Sequence, residues 1–228
     1  MPSEMSPRLS CEALCCHRRN WKESADASIE QVTAFFDSGK VCEFDGPDFL
    51  GRGLLLSVLG FLESADSGKI WVDGQDVTNL AEEELRRFRD RAFGFLFQNP
   101  YLLPSFSVAQ NVAIPLFRIR RSNAIAARER TIQVLDFCGI ADLENQRAGS
   151  LVLSAQRRVA FARALVHDPR VLVSLSPHAG DDLFELAFRA AKELKLCVLW
   201  AGAEAGVPER PRRLIRIRDG RISADQWL

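Results

Sequence analysis

No apolar run in the 228 residues approaches the roughly 20 that a helix needs to cross a bilayer. Nor does the opening stretch, MPSEMSPRLSCEALCCHRRN, hold the apolar centre of a secretory signal. A cytosolic chain is therefore expected, with its six cysteines as reduced thiols. Excess charge of either sign is missing too, since 30 Lys and Arg balance 30 Asp and Glu. A balanced chain offers no stripe for nucleic acid and no polybasic patch for a lipid surface, so no nucleic-acid partner is expected. A paired metal-ligand pattern is also lacking. Cys11, Cys15, Cys16 and His17 lie within seven residues, but structural zinc sites usually draw ligand pairs from two separated segments, and Cys42, Cys138 and Cys197 stand alone. These cysteines read as small packing residues, and no metal site is expected.

The length allows one α/β domain with an insertion. Residues 1 to about 27 read as a polar, aperiodic leader ending in a first strand. SIEQVTAFF and KVCEF look like strands joined by the turn DSGK, and LLLSVLGFLE like an apolar helix. SGKIWVDGQDV suggests a strand pair turning at Asp73-Gly74. AEEELRRFRDR suggests a solvated helix, and AFGFLFQ a buried strand. Pro100, Pro104 and Pro115 should break NPYLLPSFSVAQNVAIPL into loop and short helical pieces. From Arg118 to about Leu143 the pattern is an amphipathic helix with Ile132, Leu135 and Phe137 inward. A second helix, LSAQRRVAFARALVHDP, closes at Asp168-Pro169. RVLVSLS, DDLFELAFRAAKEL, KLCVLWAG and the hairpin RLIRIRDGRIS complete the chain. This alternation predicts a mainly parallel sheet with helices on both faces, interrupted by a helical insertion over about 99–165.

Between the strand KVCEF and the apolar helix lies GPDFLGRG, residues 46–53. Its outline is that of the phosphate-binding loop, G-x-x-x-x-G-K-[ST], in the required strand–loop–helix setting. The order of segments from about residue 28 onward resembles the ATP-binding subunits of ABC transporters. It is most similar to the branch serving lipoprotein release, macrolide export and cell-division-type transport. The resemblance rests on GPDFLGRG, on the stretch SGKIWVDGQDVTNLAEEELRRFRDRAFGFLFQNPYLLPSFSVAQNVAIPL, on QRRVAFARALVHDPRVLV and on the closing RDGRI. It implies a P-loop NTPase core with an N-terminal antiparallel β part, a helical subdomain and an ABC ATPase-like domain over 28–228.

Several chemical positions depart from that family. In the loop, Gly46 and Gly51 remain, but Arg52 replaces the lysine and Gly53 replaces the hydroxyl residue that would meet Mg²⁺. Arg52 keeps a positive charge, although its planar fork differs from a compact ammonium. Asp48 and Phe49 bring charge and bulk to a turn whose amides must curl around phosphates. The strand that should end in Asp-Glu ends in Leu175-Ser176, followed by Pro177 and His178. LVLSA (Leu151 to Ala155) stands where the family carries LSGGQ, and Ala201, Gly202 and Ala203 occupy the switch-histidine region. Gln98 matches the family's metal- and water-sensing glutamine. Gln98, Pro100, Tyr101, Leu102, Leu103 and Pro104 match the surface that receives the permease, and Asp182 matches a dimer-interface aspartate.

Three readings follow. The leading one is a non-catalytic subunit of a membrane transporter, peripheral on the cytoplasmic face of the inner membrane. It would dock on a permease and pair in a homo- or heterodimer, with no catalytic residue and no cofactor beyond weak ATP binding at Gly46, Gly51, Arg52, Gly53 and Gln98. The second is an atypical ATPase using Arg52 and a partner's residues; against it, and for the first, losing even one preorganised group typically costs roughly 10²–10³ in rate. The third is a soluble interaction protein that kept the fold alone.

Overall fold

The computed structural model describes residues 8–20, 25–47, 49–120, 122–175, 181–202 and 212–228. Two sheets organise them. An antiparallel sheet holds β1 (Leu9–Asn20), β2 (Ala25–Phe36), β4 (Ser67–Val72) and β5 (Gln75–Asp76) in the order β2-β1-β4-β5. A six-stranded sheet runs β10-β9-β3-β8-β7-β6, from β3 (Val41–Asp45), β6 (Phe93–Leu96), β7 (Val171–Ser174), β8 (Cys197–Ala201), β9 (Arg213–Arg218) and β10 (Arg221–Trp227). Its β9-β3-β8-β7-β6 pairs are parallel, and β10 adds an antiparallel edge. The expected α/β class with an antiparallel N-terminal part is the one observed.

Alternation along the parallel strands feeds two cores. Cys42, Phe44, Val171, Val173, Leu199, Ile215 and Ile217 face helix α1 (Phe49–Leu59), which lies between the two sheets. Val41, Leu172, Val198 and Trp200 face the opposite core, with α3 (Val108–Arg118), α4 (Ala124–Phe137), α5 (Leu153–Leu165) and α6 (Asp181–Leu194). Strands buried on both faces read as near-continuous apolar runs, as VLVS and CVLWA do, while VCEF is interrupted by the buried Glu43. Helix α1 is mostly apolar, with Leu54, Leu55, Leu56, Val58 and Leu59 buried, and its polar members Arg52 and Ser57 are buried as well. Helix α2 (Glu82–Ala92) is the solvated one, with Glu82, Glu83 and Glu84 in its first turn and Arg89 and Arg91 in its last, matching the helix dipole.

Three local expectations are revised. The leader is a full strand from Leu9, with Leu9, Cys11, Leu14 and Cys16 buried. Register shifts between Cys11 and Leu14 and between Leu14 and Cys16, with Ala13 at φ +50°, break the period of two and hide the strand in the sequence. Pro115 does not end its helix. It lies inside α3, where it removes one amide while the carbonyl of Pro115 still accepts from Ile119 at 2.8 Å. Ile132 is exposed, and the inward positions of α4 are Ala127, Thr131, Val134 and Leu135. That helix is also shorter than expected, set by the Asn123 cap at its start and by Gly139 at φ +67° beyond its end.

The thiols sit where packing needs small side chains. Cys11, Cys16, Cys42, Cys138 and Cys197 are buried. Burial pushes Cys11 and Cys138 up to about 12 and Cys16 up to about 11, and it raises Cys42 and Cys197 as well.

Helix α5 reaches β6 through a glycine. A Cβ on Gly94 would stand 2.2 Å from the Ala164 carbonyl oxygen and 3.3 Å from the Pro169 ring. The Gly94→Ala variant is therefore expected to lose about 2 kcal/mol or more, because helix and strand would have to part. Urea denaturation measures this, and a loss under about 0.5 kcal/mol would show that the helix shifts freely.

Candidate functional site

The glycine loop lies at the carboxyl ends of the parallel strands, where open α/β sheets place their ligands. Gly46 follows β3 directly at φ +117°, a region essentially reserved for glycine. A Cβ there would meet the Ile217 carbonyl oxygen at 2.2 Å, so β9 presses directly on the start of the loop. Helix α1 begins at Phe49, which makes Gly51, Arg52 and Gly53 helical residues. The loop between strand and helix is thus brief, and its anion-binding capacity is that of a helix N-terminus. Asp48 lies outside the described residues.

Arg52 does not face that opening. It is only 2% exposed, and its guanidinium turns back under the strand end, with Nη1 3.4 Å from the Phe44 carbonyl oxygen and 3.9 Å from Asp45 Oδ1. Asp45 also accepts from Arg216 at 3.3 Å. Beside them, Arg212 donates to the buried Glu43 at 2.5 Å. Burial raises the Glu43 carboxyl, and the Arg212 charge and hydrogen bond oppose that shift. The backbone of Gly202 closes this corner, donating to the Phe44 carbonyl at 2.7 Å. Sequence reasoning singled out Arg52 and missed Glu43, Asp45, Arg212 and Arg216, whose proximity depends on β9 pairing with β3.

Strand β7 ends at Ser174, which is fully buried, and runs into the half-buried Leu175. Ser176, Pro177, His178 and Ala203 lie outside the described residues. Gly53 and Leu175 supply no side-chain oxygen for an Mg²⁺ ion, and Glu43 and Asp45 are engaged by arginines. Among the described residues, no group of three or more His, Cys, Asp or Glu could hold a metal ion. A cleft of ≈ 750 Å³ lies at the opposite edge. It is lined by Arg87, Arg91, Arg120, His167 and Arg170, near the starts of β6 and β7, so it is not part of the loop site.

Gln98 is exposed just beyond β6. The segment after it divides into anchors and face. Pro100 is buried and Leu102 packs on the helical core, whereas Tyr101, Leu103, Pro104 and Phe106 are exposed. Tyr101 holds φ +46°, a strained setting for a bulky residue. Arg163 on α5 fixes it by donating to the Tyr101 carbonyl at 2.7 Å and the Pro100 carbonyl at 2.6 Å. Fully buried Asn111 fixes the next turn. Its Oδ1 accepts from the Leu103 amide at 2.7 Å, and its Nδ2 donates to the Leu103 and Ser107 carbonyls at 3.0 Å each. Phe97 joins the exposed face, its ring 5.9 Å from that of Tyr101.

The LVLSA segment forms the start of α5, with Val152 at the cap position and no side-chain cap. Val152 is 71% exposed and Leu153 52%, an apolar pair at an open helix end. Asp182 is half-exposed and pairs within the chain, accepting from Arg158 at 2.9 Å.

Because the fully buried Asn111 side chain is the acceptor for the Leu103 amide, Asn111→Leu should cost about 2–3 kcal/mol and speed exchange of that amide. Denaturation and hydrogen exchange together check this. An unchanged exchange rate would show that the loop holds itself.

Comparison with known proteins agrees with this geometry. Residues 29–174 match the family model described as ABC transporter. The chain is 31% identical over 233 residues to the lipoprotein-releasing system ATP-binding protein LolD of Bordetella pertussis, covering 98% of this chain and 99% of that one. It is 32% identical over 203 residues to the protein of the same name from Bacteroides thetaiotaomicron, covering 86% and 93%. Among solved structures, it superposes on the dimeric bacterial ABC transporter cassette MJ0796 with a TM-score of 0.81 at 22% identity, covering 96% and 98%. It likewise matches cbiO1 of Clostridium perfringens, described as part of the transporter complex cbiONQ, with a TM-score of 0.81 at 22% identity, covering 96% and 88%. The expectation of a non-catalytic subunit is corrected by these relatives. They match nearly end to end and are named ATP-binding proteins, so the changes at Arg52, Gly53 and Leu175 do not set the chain apart as a pseudo-ATPase. With a family model spanning most of its length and such relatives on both measures, the chain belongs to the ABC transporter family, as one of its ATP-binding-cassette proteins.

Proposed function

We propose that this chain is the ATP-binding subunit of a lipoprotein-release-type ABC transporter, seated on the cytoplasmic face of the inner membrane against a transmembrane permease. The observation that carries this reading is the end-to-end match to lipoprotein-releasing ATP-binding proteins. The strand–glycine loop–helix unit stands at the carboxyl edge of the sheet, where such a subunit needs its phosphate site. The positive end of α1 suits the phosphate chain. Pairing with a second cassette follows the same kinship. Since β7 runs into Leu175, the group that positions water for hydrolysis is assigned to the partner cassette rather than to that strand.

The docking role falls to Phe97, Tyr101, Leu103 and Phe106, an exposed apolar face held rigid from below by Arg163 and Asn111. Among the described residues, no helix is long and apolar enough to cross a membrane, so membrane association would come through such a face.

Two measurements test the reading. Calorimetric titration of a non-hydrolysable ATP analogue into the purified transporter complex should give saturable binding, and a flat titration would defeat it. Replacing Tyr101 and Leu103 by Asp should cut recovery of the permease with this subunit about tenfold, as expected when central apolar anchors are lost. Unchanged recovery would remove the docking assignment.

A further inference from the structure

A triphosphate is a polyanion, and a helix N-terminus contributes only about half an elementary charge to hold it. A side-chain cation is therefore needed at the loop, and Arg52 is poorly placed to supply it. Its side chain is only 3% exposed and its guanidinium points under β3, toward Phe44 and Asp45. Turning it outward would empty a packed position beneath the loop.

Arg216 is differently placed. It pairs directly with Asp45 in the parallel β3–β9 ladder, so the two side chains share one face of the sheet. Its side chain is 45% exposed. Its Cγ stands 3.1 Å from the position a Cβ on Gly46 would take, so its stem runs along the first residue of the loop. Asp45 serves both arginines, with Oδ2 accepting from Arg216 at 3.3 Å and Oδ1 3.9 Å from Arg52. The guanidinium groups of Arg216 and Arg52 thus both lie beside the one Asp45 carboxylate. The neighbouring Arg212 is paired with Glu43.

We propose that Arg216 is the cation that receives the phosphate chain, and that Asp45 holds it at the start of the loop until a phosphate oxygen takes the place of the carboxylate. This rests on the nucleotide-binding reading above. The exchange is non-covalent: the Arg216 guanidinium gives up one oxyanion acceptor and gains another, with a bidentate geometry open to it. Arg216 is half-exposed, so its replacement costs little stability; Asp45 also lies beside buried Arg52, so thermal denaturation of the Asp45→Asn form accompanies the titration. Buried Arg52 keeps a packing role.

Calorimetric titration with a non-hydrolysable ATP analogue and with tripolyphosphate tests the assignment. It uses the full-length subunit in its complex, in wild-type, Arg216→Ala, Asp45→Asn and Arg52→Ala forms. Arg216→Ala should weaken both ligands about tenfold or more, the loss expected for one charge-assisted contact. Asp45→Asn should tighten both, because it removes the competing negative charge while keeping the shape of the side chain; an ion pair with a purely structural role would give no such gain. If wild type binds and Arg216→Ala binds equally well, this assignment alone falls. Weakened binding in Asp45→Asn overturns the holding role of the carboxylate. If wild type binds neither ligand, the nucleotide reading and this assignment fall together.

Discussion

Helix α1 is buried on nearly every side, its two polar side chains included, and that constraint organises the molecule. Its leucines must be covered all round, so the six-stranded sheet takes one flank and the antiparallel sheet the other. The antiparallel sheet is thus the second wall of the core around the loop's helix. Because α1 is fixed between two sheets, its N-terminus cannot drift relative to β3 and β9. The same confinement turns Arg52 inward, since a residue one turn into a buried helix has little room to reach the solvent.

A second level of order comes from polar side chains that serve backbone. Arg163 and Asn111 satisfy carbonyls and an amide in the irregular segment after Gln98, and Ser107 and Gln110 cap α3 reciprocally. A segment rich in proline, with a tyrosine in a left-handed conformation, would otherwise sample many shapes. Held this way, it presents Tyr101, Leu103 and Phe106 as a fixed apolar relief. Burying a few polar side chains beneath it costs little because each finds partners.

Much of this is legible in the chain. Apolar runs such as VLVS and CVLWA announce strands covered on both faces, and GPDFLGRG between strand and helix announces the loop's place. The S-x-x-Q signature at Ser107 also announces the start of α3, although the prolines on either side of it argue for loop. What stays hidden depends on geometry that periodicity cannot carry. Bulges in β1 scramble the spacing of Leu9, Cys11, Leu14 and Cys16. The charged corner of Glu43, Asp45, Arg212 and Arg216 joins residues about 170 positions apart and exists only because β9 returns beside β3. The altered chemical positions are plain in the sequence, but they do not by themselves decide activity. Single positions report which groups are present, while the end-to-end match to ATP-binding proteins reports on the whole chain.

The buried cysteines have a practical consequence. Cys11 and Cys16 sit in the antiparallel layer, Cys42 and Cys197 in the parallel sheet, and Cys138 among the helices. Each is sheltered from reagents and held protonated by its surroundings. The rate at which each thiol is alkylated therefore becomes a clock for the opening of its own layer. The chain carries, without any added label, separate timers for the wall, the sheet and the helical part.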